Sequence, residues 1–103
     1  MSKQTMEYME KCAPIFSMLQ DKRRQEITQL LFDNRELSVT VLTDKLSLSR
    51  PAVSHHLKLL LDADLVTVRQ DGKERYYRVN LKPALMLLKK LTDSIETDIE
   101  QMK

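Results

Sequence analysis

Gly72 is the only glycine in the chain. With one residue free to take positive φ at no steric cost, tight turns are scarce, and most of the chain must be helix joined by short capped connections. The exception is the neighbourhood of Gly72 itself. Asp71-Gly72 separates Leu65-Val66-Thr67-Val68-Arg69 from Lys73-Glu74-Arg75-Tyr76-Tyr77-Arg78-Val79. Both runs are rich in β-branched and aromatic residues, and Asp-Gly between such runs is a strong short-range hairpin signal. One hairpin over residues 65–79 is therefore expected in an otherwise helical chain.

The helices are legible from their apolar spacing and their caps. Met6, Met9, Ala13 and Phe16 interleave with Tyr8, Cys12, Ile15 and Leu19, an apolar face too wide for one neighbour to cover. A helix over 4–19 is then buried by its own domain on one side and a partner on the other. Pro14 is expected to kink or break it. Asp21 reads as the cap of a second helix that turns Ile27, Leu30 and Leu31 inward, and Ser38 as the cap of a third with Val39, Leu42 and Leu46 inside. Ser49 caps a fourth helix with Pro51 in its first turn, where a missing amide hydrogen does no harm. Ala52, Val53, His56, Leu57, Leu59, Leu60 and Leu61 fill its inner face. Pro51, Ser54, His55, Lys58 and Asp62 fill the outer one, and Arg50 stands at its start near the edge. The last helix begins near Pro83 and repeats at Leu85, Leu88, Thr92, Ile95, Ile99 and Met102, with Leu91 beside that seam. The predicted order is ααααββα in a single domain over 1–103, because two cores would leave each half too small to be stable.

Composition removes several classes of function. One cysteine excludes a disulfide framework and a cysteine zinc knuckle. Apolar runs are short, as at Leu59-Leu60-Leu61 and Ala84 to Leu88, so no membrane-spanning helix is expected. The first residues have no apolar core of a secretory signal, and a cytoplasmic location is the expectation. No Gly-rich phosphate loop, HExxH or CxxC spacing, or nucleophile–base pairing supports an enzyme. The charge is uneven: residues 50–82 carry seven basic and four acidic groups, whereas 1–49 are balanced and 83–103 are net −1. That excess points weakly to a polyanion.

Two helices at an angle, followed by a basic hairpin, make a winged helix-turn-helix, mainly α with a small β-hairpin. The helix-turn-helix spans 38–62 and the wing 65–79. The fourth helix suits a major groove, with hydrogen-bonding side chains outward and free amides at its N-terminus. The candidate DNA contacts are Ser49, Arg50, Ser54, His55 and Lys58 on that helix, with Arg69, Lys73 and Arg75 on the wing. Lys22-Arg23-Arg24 reads either as a solvated face or as a phosphate contact.

The stretch from Leu48 to Leu60 (LSRPAVSHHLKLL), then Asp64-Leu65-Val66, Asp71-Gly72-Lys73 and Tyr76-Tyr77-Arg78-Val79, resembles the ArsR/SmtB family of prokaryotic winged-helix transcriptional repressors. The resemblance implies a homodimer held by the first and last helices (4–19 and 83–102) on an imperfect inverted repeat of operator DNA. Its interface candidates here are Met6, Met9, Ala13, Leu85, Leu88, Ile95 and Ile99. The family commonly has glycine where this chain has Asp64, and Asp tolerates the left-handed conformation a helix end there would need. Arsenic, cadmium and lead sensors of the family carry cysteines where Ser38 and Thr40 stand, and hydroxyls are poor ligands for thiophilic metals. Zinc, cobalt and nickel sensors use histidines on the last helix, which here has Asp93, Glu96, Asp98 and Glu100 but no histidine. No metal site and no cofactor are expected, and the effector is open. Cys12 reads as a small buried hydrophobe, the alternative being a thiol sensor, which would need an exposed thiol of low pKa. His56 reads as a hydrogen-bonded group near the core and His55 as a DNA contact. The remaining alternatives are a metal- or thiol-responsive repressor acting through Cys12, and a winged-helix protein-interaction module, which would need an acidic or apolar outer face on the fourth helix.

Overall fold

A computed structural model describes residues 1–102. Five helices and a small antiparallel sheet follow in the order α1 (Lys3–Leu19), α2 (Lys22–Asn34), β1 (Leu37–Ser38), α3 (Val39–Lys45), α4 (Arg50–Asp62), β2 (Val66–Asp71), β3 (Glu74–Val79) and α5 (Lys82–Gln101). The expected order gains one element. β1 pairs antiparallel with β3, Leu37 opposite Tyr77 and Ser38 opposite Tyr76, so the sheet has three strands in the order β1-β3-β2.

The helix starts follow the caps. Asp21 accepts from the Arg23 and Arg24 amides, Ser38 from that of Val41 and Ser49 from that of Ala52. α4 ends in a Schellman motif: the Leu65 amide bonds the Leu60 carbonyl, the Asp64 amide bonds that of Leu61, and Asp64 sits at φ 59°. A second positive φ falls at Arg35 (φ 65°, ψ −54°), where the Glu36 amide bonds the Asn34 carbonyl at 2.7 Å. That is a γ-turn of the rare positive-φ kind, a strained way to reverse the chain between α2 and β1. In the hairpin, Asp71 pairs with Glu74, so the turn centres on Gly72-Lys73 and the strand absorbs Asp71. Only Gly72, the first central residue, has positive φ (62°), the pattern of a type II′ turn.

Pro14 does not break α1, which is continuous from Lys3 to Leu19 with the proline inside it. Packing holds the turn that the missing amide would weaken: Cys12 and Ile15, on either side of Pro14, are both buried. The core gathers Ile27 and Leu31 of α2, Val39 and Leu42 of α3, and Val53, Leu57 and Leu60 of α4 under Val66 and Tyr77 of the sheet. Ile15 and Ala84 join it from α1 and α5.

α1 and α5 run antiparallel against each other. Thr5 meets Ser94 near one end of the pair, and Ile15 and Pro14 line a small cavity with Pro83, Ala84 and Leu87 at the other. The inward residues of α5 are Ala84, Leu91 and Ser94, a seam one position away from the 85–88–92–95–99 stripe. Leu85, Met86 and Ile99 of α5, with Met6 and Phe16 of α1, are exposed. The chain measures 56 × 23 × 20 Å and its radius of gyration is 16.5 Å, against about 13 Å for a compact domain of this length.

Candidate nucleic-acid interface

α4 turns Ser54, His55 and Lys58 to solvent while Val53, Leu57 and Leu60 anchor its opposite face in the core. Arg50, Ser54 and Lys58 of α4, Lys73 of the turn and Arg75 of β3 line one groove of about 560 Å³, floored by Val39, Leu61 and Tyr77. Asp62 is the acidic residue among its lining side chains. Five of the eight residues read from the sequence as DNA contacts thus share one surface.

The other three do not line it. The Ser49 hydroxyl oxygen caps α4, accepting from the Ala52 amide at 3.3 Å. His55 is exposed, its ring centroid 6.0 Å from that of His56. Arg69 is held elsewhere: its Nε and Nη2 donate to the two carboxylate oxygens of Glu36 at 2.9 and 2.7 Å, and its guanidinium lies 4.5 Å from the Tyr76 ring centroid. A bidentate pair stacked on an aromatic ring fixes an arginine firmly. Arg69 thus ties the wing to the segment after α2, where Arg78 also approaches Glu36 at 3.7 Å, while its side chain stays 53% exposed, as that of Arg50 does. Hydrogen bonding from Arg69 holds the Glu36 carboxyl below its ordinary range and pushes the Arg69 guanidinium up.

Arg50 has partners the sequence does not announce. Its Nη1 donates to the Thr40 hydroxyl at 2.9 Å, that hydroxyl donates to Glu74 Oε2 at 2.8 Å, and Arg50 Nη2 stands 3.6 Å from Glu74 Oε1. Three side chains from α3, α4 and β3 close a ring. The Thr40 hydrogen bond is the largest influence holding the Glu74 carboxyl below its ordinary range. The one signal in the sequence is an acidic side chain, Glu74, within the basic segment 50–82.

Elsewhere, the Arg24 guanidinium is engaged by Asp21 at 3.6 Å, the Met18 carbonyl at 3.4 Å and His56 Nδ1 at 3.4 Å. Of the basic cluster at the start of α2, Arg24 is therefore internal. His56 is half-buried and hydrogen-bonded, as its sequence position suggests. Cys12 is fully buried and burial pushes its thiol up, the reverse of what a thiol sensor needs. Among the described residues no three His, Cys, Asp or Glu side chains converge as a metal site would require, and no helix is long and apolar enough to cross a membrane.

Comparison with known proteins agrees with this geometry. The family model for the bacterial regulatory proteins of the arsR family matches residues 21–68. An uncharacterised HTH-type transcriptional regulator of Methanocaldococcus jannaschii is 36% identical over 74 residues, covering 72% of this chain and 83% of that one. The arsenical resistance operon repressor of Staphylococcus aureus is 40% identical over 75 residues, 73% of this chain and 70% of the repressor. A crystal structure of a possible transcriptional regulator for arsenical resistance superposes with a TM-score of 0.65 at 38% identity, covering 77% of this chain and 80% of that one.

Proposed function

The chain belongs to the arsR family of bacterial regulatory proteins, DNA-binding regulators of transcription and not enzymes, and we propose that two copies join through α1 and α5 to bind an inverted-repeat operator as a repressor. The observation that carries this reading is the shared groove, in which Arg50, Ser54 and Lys58 of α4 converge with Lys73 and Arg75 of the wing. α4 enters the major groove, its outer side chains reading base edges, while the wing cations rest on flanking phosphates. His55, exposed on the outer side of α4, is a further contact of the same helix, and Ser49 contributes through its place at the helix start. In the twofold dimer the two α4 helices enter successive major grooves about 34 Å apart.

Dimerisation is supported by the shape and by what is left uncovered. The radius of gyration of 16.5 Å is well above that of a compact domain, and apolar side chains of both α1 and α5 are exposed. Met6, Ala13, Leu85 and Ile99 are exposed and Met9, Leu88 and Ile95 half-buried, and these seven are the residues we assign to the face that meets a second copy. The domain reading over 1–103 follows: 38–62 and 65–79 meet DNA, and 4–19 with 83–102 join the copies. A protein-interaction module would need an acidic or apolar outer face on α4, and Ser54, His55 and Lys58 give neither.

Enrichment of duplexes from a random-sequence pool by the purified protein tests the proposal. The expected product is an inverted repeat with half-sites one helical turn apart, bound by two protomers per duplex. Recovery of single half-sites at a stoichiometry of one, or no enrichment over the starting pool, overturns it.

A further inference from the structure

We propose that Thr40 and Glu74 are positioning residues that fix the Arg50 guanidinium against the wing, so that it reads one base-pair position and does not range over neighbouring phosphates. The inference rests on the reading of α4 as the helix that enters the major groove. Arginine can only donate and an ionised carboxylate can only accept, so the Thr40 hydroxyl must do both: it accepts from Arg50 at 2.9 Å and donates to Glu74 at 2.8 Å. With Nη2 facing Glu74 Oε1 at 3.6 Å, two points on the guanidinium are constrained and its plane is set. The rest of the fork stays open, because the Arg50 side chain is 53% exposed and lines the groove with Ser54 and Lys58.

The charge of Glu74 argues for this role. A carboxylate beside a groove of cations repels phosphate and weakens binding to every duplex alike. Its presence is useful only where orientation matters more than attraction, as it does for an arginine that must meet a guanine edge with two parallel bonds. An isolated surface pair at 3.6 Å would hold Arg50 loosely. The Thr40 hydroxyl turns the pair into a network anchored on three elements, and an arginine held before binding has less freedom to lose on binding. Thr40 itself is exposed on α3; its hydroxyl bonds both Arg50 and Glu74, and its backbone amide also bonds the Glu74 carboxylate, so that Thr40→Val removes the tie to Arg50 while leaving Glu74 in place.

The test compares affinity for a duplex enriched from a random pool by the wild-type protein with affinity for its scrambled counterpart, by fluorescence anisotropy at one salt concentration. Thr40→Val is expected to lower the ratio of the two affinities by roughly tenfold, within the range of one bidentate base contact, with scrambled-duplex affinity unchanged. Glu74→Gln is expected to lower the ratio similarly while raising affinity for the scrambled duplex, since a negative charge is removed. Thr40→Ser keeps the hydroxyl and is expected to restore the wild-type ratio, which a role in folding alone would not predict. Thermal melts identify any variant whose loss comes from unfolding, and Glu74→Gln, at a half-buried site, carries the test if Thr40→Val is one. Arg50→Ala separates the two readings. If it weakens both duplexes equally, base reading by Arg50 fails. If it lowers the ratio while Thr40→Val and Glu74→Gln keep or raise it, base reading stands and the positioning role is overturned. Failure of Thr40→Ser to restore the ratio overturns the positioning role as well.

Discussion

If two copies join through α1 and α5 as proposed, replacing Met6 and Leu85 together by glutamate should separate them without unfolding either. Met6 is 54% exposed and Leu85 50%, so each keeps about half its side chain for a second copy to cover. Complete burial of a Leu or Met side chain is worth about 1.5–3 kcal/mol, so half is worth about 0.75–1.5 kcal/mol. A twofold dimer contains each residue twice, and four half side chains sum to about 3–6 kcal/mol, or roughly two to four decades in the dimer dissociation constant. Four carboxylates buried at the interface would add to that. Both substitutions fall near helix N-termini, Met6 in α1 and Leu85 in α5, where glutamate suits the macrodipole and keeps good helix propensity. Sedimentation equilibrium across a concentration series gives the dissociation constant, and far-UV circular dichroism checks the helices. A doubly substituted protein that sediments as a dimer at wild-type concentrations, with its helical signal intact, would refute the assignment of the α1–α5 face.

Three further outcomes are expected. Lys73→Ala and Arg75→Ala should each flatten the slope of log affinity against log salt by about 0.9 for every phosphate left without its cation, or about 1.8 in a dimer, on selected and scrambled duplexes alike; weakening confined to the selected duplex would make either residue a base reader. Asp64→Gly should raise stability by up to about 1 kcal/mol by relieving the left-handed backbone at the end of α4, whereas Asp64→Val should lower it, both read from thermal melts at one protein concentration. Glu36→Gln should melt below wild type at neutral pH, because Arg69 holds the Glu36 carboxyl below its ordinary range. A depressed carboxyl contributes stability above the unfolded value, near 4.3 for glutamate, and loses it as pH falls through the folded one, so the gap between the two proteins should close on acidification; a gap constant from about pH 7 down to about pH 3 would contradict the pairing.

What can be read from the sequence divides along a physical line. Asp21, Ser38 and Ser49 bond to their own helix within three residues, so the cap and the start it fixes are visible in any short window. The same holds for Gly72 and Asp64, whose backbone needs are local. β1 is invisible because two residues carry no period and their partners lie in β3, nearly forty positions away. The Arg69–Glu36 pair spans 33 residues and the Thr40–Glu74 bond 34, and nothing near either residue selects its partner. In sequence Arg69 looks like a free wing cation for that reason. The expected break at Pro14 fails in the opposite sense: a local rule is right about the missing bond, and burial of Cys12 and Ile15 overrides it.

The seam between α1 and α5 changes character along its length. At the core end, Ile15 and Ala84 are buried and apolar, and such contacts are non-directional, so they would tolerate small slides along the seam. Towards the far end the contact is polar. Thr5 is fully buried and bonds Ser94, and Thr5 and Ser2 both donate to Asp98, the Ser2 amide at 3.0 Å and the Thr5 hydroxyl at 2.7 Å. These bonds hold the Asp98 carboxyl below its ordinary range, the Ser2 amide contributing most. Hydrogen bonds have preferred lengths and directions, so this trio fixes the register that the apolar end leaves loose. Register matters because the inward and outward stripes of α5 are one residue apart: a rotation of about 100° would exchange Leu91 and Ser94 for Thr92 and Ile95. By holding α5 to α1 in one rotation, the trio keeps Leu85, Ile95 and Ile99 turned outward together. In the proposed dimer this rotation would also set how the two α4 helices are placed on DNA, because the copies would meet through the outward faces of α1 and α5.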